Sequence, residues 1–153
     1  MTDRAQKTIT DRPQKIRGGI GADDRYWEAL GNGEFRLCRC AQCERWMTPA
    51  HYRCGACGSW EQKWPLVEPV GQIYSWTRTH MSFPRTPERK DDVPYVSVLV
   101  EIDNTDGSRI FGMFDETTGS PRIGDKVVGQ ILAPTEKSLG YPSIIWKLAE
   151  GTK

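Results

Sequence analysis

The stretch CAQCERWMTPAHYRCGACG, Cys40 to Gly58, decides how this chain is read. It carries two C-x2-C pairs, Cys40 with Cys43 and Cys54 with Cys57, and ten residues lie between them. Each pair can bend into a knuckle that presents two thiolates, and four thiolates at about 2.3 Å satisfy a tetrahedral Zn²⁺. Gly55 and Gly58 flank the second pair, where a turn after a ligand often needs the positive φ that glycine takes at little cost. Other readings of the same thiols fit their context less well. Redox dithiols of the thioredoxin kind belong to a βαβ setting, and the flanking sequence has none. Disulfides suit a secreted chain, whereas the N-terminus here is charged rather than apolar. Rubredoxin-type iron fits the same four ligands, because tetrahedral geometry does not choose between the two metals. Cys38 reads as a small side chain on a strand, and His51 as a loop residue, since four thiolates already fill a tetrahedron.

Working outward, Phe35 and Leu37 alternate with Glu34 and Arg36, the period of a half-buried strand running into the first knuckle. Trp46 and Met47 follow the first pair, Pro49 breaks the run, and Tyr52 leads into the second. Short strands with knuckles at their ends describe a rubredoxin-like zinc ribbon over residues 34–64. Upstream, ADDRYWEAL places Asp23 or Asp24 as a helix N-cap, with Tyr26, Trp27 and Leu30 on one side and Gly31 and Gly33 as the stop. This predicts a helix within 22–33 whose aromatic face covers either the chain's own core or a partner. Residues 1–21 carry Arg4, Lys7, Arg12, Lys15 and Arg17 with few apolar side chains, the pattern of a flexible tail.

Downstream the sequence reads as β structure. Gly71 to Thr79 alternates, with Ile73, Ser75 and Thr77 assigned to one face and Tyr74, Trp76 and Arg78 to the other. PYVSVLVEID, Pro94 to Asp103, puts Val96, Val98, Val100 and Ile102 on one face, and Asn104 to Gly107 is a turn that returns the chain along Arg109 to Phe114. Lys126 to Leu132 and Ser143 to Leu148 supply two more strands. Five strands predict a small closed Greek-key barrel of the OB type over residues 65–150. The charged segment 81–93 joins its first two strands as a long loop. The fold class is therefore mainly β: an N-terminal helix, a zinc ribbon and a five-stranded OB barrel.

Lys plus Arg number 21 against 20 for Asp plus Glu, so no long-range field attracts a polyanion. That balance opposes a single-strand nucleic-acid binder, the alternative in which Trp76, Tyr74 and Phe111 stack on bases. No apolar run approaches the ~20 residues of a membrane span, and the cysteine usage fits a reducing cytoplasm.

The ordered motifs WEAL, F-x-L-x-x-C-x-x-C, C-x-x-C-G, G-x-I-Y-S-W-T, PYVSVLVEID and R-I-G-D-K-V resemble the thiolase-associated zinc-ribbon/OB-fold proteins, long labelled a domain of unknown function. The resemblance covers roughly residues 22–148. It implies a structural zinc on Cys40, Cys43, Cys54 and Cys57, and a hetero-oligomer with a thiolase-like subunit. That subunit would bind most of an acyl-CoA substrate. The family includes small subunits of steroid side-chain aldolases, where the partner performs retro-aldol cleavage, and of thiolase-like acyltransferases. A hydratase of the same pathway is a further implied partner. No nucleophile, base and oxyanion donor set is evident in this chain, so catalysis is expected in the partner. His80 reads as a strand-end residue. Arg78, Arg85 and Arg89 lie on or near the loop after the first barrel strand and are the candidate CoA phosphate contacts, although Glu88, Asp91 and Asp92 interleave with them.

Overall fold

The computed structural model describes residues 21–48, 50–85 and 87–151, without the side chain of Glu88. The tail expected over 1–21 lies outside the described residues except for Gly21, as does the break at Pro49. Helix α1 (Asp24–Gly31) is followed by β1 (Arg39–Cys40), β2 (Gln62–Lys63), β3 (Val70–Thr79), β4 (Tyr95–Ile102), β5 (Arg109–Phe114), β6 (Lys126–Leu132) and β7 (Ser143–Leu148). β1 and β2 form the two-stranded ribbon, and the other five close a barrel in the order β3-β4-β5-β7-β6. The valine-rich face of β4 was the clearest strand signal, and Val96, Val98, Val100 and Ile102 are all buried in the barrel.

The strand expected over Glu34 to Cys40 narrows to Arg39–Cys40, with an isolated bridge from Arg36 to Leu66. Its alternation survives: Phe35 and Leu37 are buried while Glu34 and Arg36 are partly exposed. Cys38 and Cys40 are buried as well, because the ribbon packs a second apolar cluster of Ala22, Cys38, Cys40, Met47, Ala50 and Cys54.

The face assignment along β3 needs correction. The register shifts between Ile73 and Ser75, so that Ile73 opposes Val100 while Trp76 opposes Val98 and Arg78 opposes Val96. Tyr74 is the extra residue, and one inserted residue in a strand of period two moves every later side chain to the other face. Ile73 therefore shares its face with Trp76 and Arg78, not with Ser75 and Thr77.

The choice for α1 is resolved toward its own chain. Leu30, Phe35 and Leu37 belong to the same core as Ile73, Val98 and Trp146. Tyr26 meets Phe35 edge-on at 6.2 Å between ring centroids, and Phe35 meets Trp146 in the same way at 6.4 Å. Asp23 holds the N-cap position but makes no side-chain cap bond. Its carboxylate instead accepts from the Trp27 indole N–H at 3.0 Å.

Candidate metal centre and adjoining cleft

The two knuckles repeat one local design. Cys40 N–H donates to Arg45 O and Cys54 N–H to Ser59 O, each at 2.8 Å. The residue after the second cysteine of each pair has positive φ, 65° at Glu44 and 77° at Gly58. Gly58 thus has the role predicted for it, whereas Gly55 is not among the positive-φ residues. Glu44 holds the same conformation without being glycine and is flanked by Arg39, at 3.1 Å, and Lys63.

The chain brings Cys40, Cys43, Cys54 and Cys57 together, with all four sulfurs within 4.8 Å of one another. Cys40 Sγ lies 3.6 Å from Cys57 Sγ, and Cys43 Sγ lies 3.6 Å from Cys54 Sγ. A tetrahedron with 2.3 Å metal–sulfur bonds has edges of about 3.8 Å, so this set fits a tetrahedral ion. Backbone N–H groups also point at the sulfurs. The Cys43 N–H lies 3.5 Å from Cys40 Sγ and lowers that thiol's pKa. The N–H groups of Cys57 and Ala56 hold the Cys54 thiol down at about 6. Cys43 runs the other way: the Arg45 N–H lowers it, but the thiols of Cys54 and Cys57 outweigh that and push it up to about 11. Four closely set sulfurs cannot all shed their protons without a cation among them. A fully occupied four-thiolate set also leaves no coordination position for water, so the chemistry such an ion supplies is structural.

Cys38 stays outside this cluster. It is buried, and burial pushes its thiol up to about 11. His51 is an exposed loop residue, as expected.

The three arginines are placed separately. Arg78, near the end of β3, pairs with Glu116 at 2.6 Å. Arg89 sits 3.6 Å from Asp92, stacks 5.5 Å above the Tyr95 ring and reaches Met113 Sδ at 3.7 Å. Arg85 is exposed in the turn before the short 3₁₀ segment Pro87–Arg89. The 81–93 loop thereby folds back on β4 and β5 through Arg89.

A feature that the sequence did not reveal lies between α1, the ribbon and the barrel. A cleft of about 390 Å³ is walled by Trp27, Leu37, Trp64, Leu99, Ile110 and Phe111, among others. Thr48 Oγ1 and Trp64 Nε1, on residues that also line it, are buried with no hydrogen-bond partner among the described residues. Its walls come from positions far apart in the chain, which no local pattern links.

Residues 64–130 match the family model described as ChsH2, C-terminal OB-fold domain. Over those residues the barrel is similar to the ChsH2 OB-fold domain. A solved structure entitled "Ltp2-ChsH2(DUF35) aldolase" is 25% identical with a TM-score of 0.70, over 90% of this chain and 98% of that one. A protein of unknown function from the DUF35 family of Sulfolobus solfataricus is 14% identical with a TM-score of 0.56, over 88% of this chain and 90% of that one, and shows the fold alone. No curated protein matches. The first alignment spans more of this chain than residues 64–130. Among the described residues, no helix is long and apolar enough to cross a membrane.

Proposed function

We propose that this chain is a non-catalytic but required subunit of a heteromeric thiolase-fold enzyme acting on acyl-CoA thioesters. The observation that carries the reading is the likeness to a chain of the Ltp2-ChsH2 aldolase across 98% of that chain's length. The sharper form is a retro-aldolase of steroid side-chain degradation. In that reaction the β-hydroxyl proton leaves, the Cα–Cβ bond breaks to give a carbonyl product, and the shortened acyl-CoA enolate takes a proton. Acyl transfer on the same partner fold is the alternative reaction.

In this reading zinc is the ion held by the four cysteines. It fixes the ribbon, and the ribbon fixes α1 and the barrel as one docking body. The partner supplies the reacting groups and most of the acyl-CoA site. Arg85 is the first candidate for a CoA phosphate, since Arg78 and Arg89 already face Glu116 and Asp92 and would have to exchange a carboxylate for the phosphate.

Co-expression with a thiolase-like protein tests the proposal. The two should elute together, and the complex should cleave a β-hydroxyacyl-CoA while neither chain does so alone. Separate elution with a fully active partner would sink the reading. Complex formation with acyl transfer and no carbon-bond cleavage would select the alternative reaction. Replacing Arg85 and Arg89 by alanine together should weaken acyl-CoA affinity in the complex. Unchanged affinity removes the phosphate assignment alone.

A further inference from the structure

One edge of β5 is only half used. β5 pairs with β4 from Arg109, opposite Glu101, to Met113, opposite Ser97. Just before the strand, the Ile102 N–H donates to Ser108 O at 2.9 Å, and this fixes the alternation. In an antiparallel pair every second residue exchanges its backbone bonds with the neighbour. Ile110, Gly112 and Phe114 therefore turn their N–H and C=O groups toward β4, while Arg109, Phe111 and Met113 turn theirs to the opposite edge. On that edge β7 meets only Met113 and Phe114. Among the described strands, none pairs with Arg109 or Phe111 there.

The cleft of about 390 Å³ opens beside these same residues, since Arg109, Ile110 and Phe111 form one of its walls. Trp27 and Trp64 stand among the other walls, and Phe111 at the rim is 64% exposed. An unpaired strand edge next to an apolar hollow matches one class of occupant. An extended peptide satisfies the edge with its backbone and places an alternate side chain in the hollow. A compact apolar molecule would fill the hollow but leave the edge groups of Arg109 and Phe111 unused.

We propose that β5 and this cleft form a strand-addition site for an extended apolar segment of the partner subunit. The segment pairs with the backbone of Arg109 and Phe111 and inserts one aromatic or branched apolar side chain between Trp27, Trp64 and Ile110. This rests on the reading of the chain as a subunit and names the surface by which it docks.

The test uses the full chain with its thiolase-like partner. Phe111→Pro and Arg109→Pro each remove an outward N–H that takes no part in the β4 ladder. Phe111→Ala and Arg109→Ala remove the same side chains and keep that N–H. Each proline variant should bind the partner about tenfold more weakly than its alanine counterpart, the scale of one lost interfacial hydrogen bond with its desolvation cost. Amide hydrogen exchange on the unmodified chain gives a readout that does not depend on whether a variant folds. The N–H groups of Arg109 and Phe111 should exchange fast in the free chain and become protected in the complex.

A complex that forms with both amides still fast, or equal affinity of folded proline and alanine variants, overturns the docking site and leaves the subunit reading intact. Amides already protected in the free chain, with cross-links from Phe111 to residues 1–20, also overturn it by making the occupant intramolecular. So does an apolar small molecule found in the cleft by native mass spectrometry with no change at either amide. Failure of the unmodified chain to form any complex overturns the site and the subunit reading together.

Discussion

Gly129 on β6 stands directly opposite Trp146 on β7, and the indole together with Ile144 Cδ1, 2.6 Å from a Cβ built there, fills the space that a side chain at 129 would need. A Cβ there would lie 2.9 Å from Trp146 Cζ3, and one at Gly112 on β5 would lie 2.7 Å from Trp146 Nε1. Trp146 is fully buried, so two glycines on two strands make room for the largest side chain of the core.

Alanine at either glycine should therefore destabilise the barrel by overpacking, by about 1 to 3 kcal/mol. Thermal unfolding should show a lower Tm for both variants, while the metal content of the cysteine cluster stays the same. Gly71→Ala should be worse than either, because its Cβ would lie 2.1 Å from the Glu101 backbone oxygen, which cannot swing aside. An unchanged Tm for Gly129→Ala would mean that the Trp146 pocket is looser than described.

Phe35 is the hinge of the shared core, since it touches α1 through Tyr26 and the barrel through Trp146. Phe35→Ala should cost about 3 to 5 kcal/mol, the range for removing a buried phenylalanine. Unfolding followed by near-ultraviolet circular dichroism should remain one transition. Loss of α1 alone, with the barrel's midpoint unmoved, would contradict the shared core.

Removal of the ion by a strong chelator should loosen the ribbon before the barrel, because small metal modules owe much of their folding free energy to the ion. Amides of residues 40–63 should exchange faster, and those of β4 and β6 should stay protected. Elemental analysis should find about one metal ion per chain before treatment, zinc in the proposed reading. Protection of residues 40–63 unchanged after complete removal would count against a metal-held ribbon.

Asp115 is one of the carboxyls that make the fold sensitive to acid. Its carboxylate accepts from the Thr117 hydroxyl at 2.6 Å and the Thr117 N–H at 3.0 Å, with Lys147 at 3.7 Å. These contacts, the Thr117 hydroxyl first, hold its pKa below the ordinary 3.8. A carboxyl lowered on folding contributes stability above its unfolded pKa, and that contribution fades as pH falls through the lower folded value. Asp115→Asn should thus be less stable than the parent at neutral pH, with the gap closing below about pH 4. Urea midpoints measured from pH 7 to pH 3 check this, and a gap that widens in acid would reverse the assignment.

Much of this molecule is legible in its sequence, for a physical reason. The four-cysteine cluster is written in spacing, because a C-x2-C turn is a local device and two such turns contain all four thiols. The barrel strands are written in period two, as in the alternating valines of β4, because each strand buries one face. The two glycines beside Trp146 and the extra residue at Tyr74 have no such signature. A bulge shows only against the strand it fails to match, and a glycine that yields space looks like any other until its neighbour is known. The docking of α1 was equally open, since its aromatic face suits any apolar surface, and Phe35 and Trp146 supply one only after the barrel closes. Local chemistry therefore fixed the elements and the cysteine cluster. Long-range packing alone decided register, the shared core, and the cleft beside the half-paired edge of β5, because those depend on which distant residues come to lie within contact.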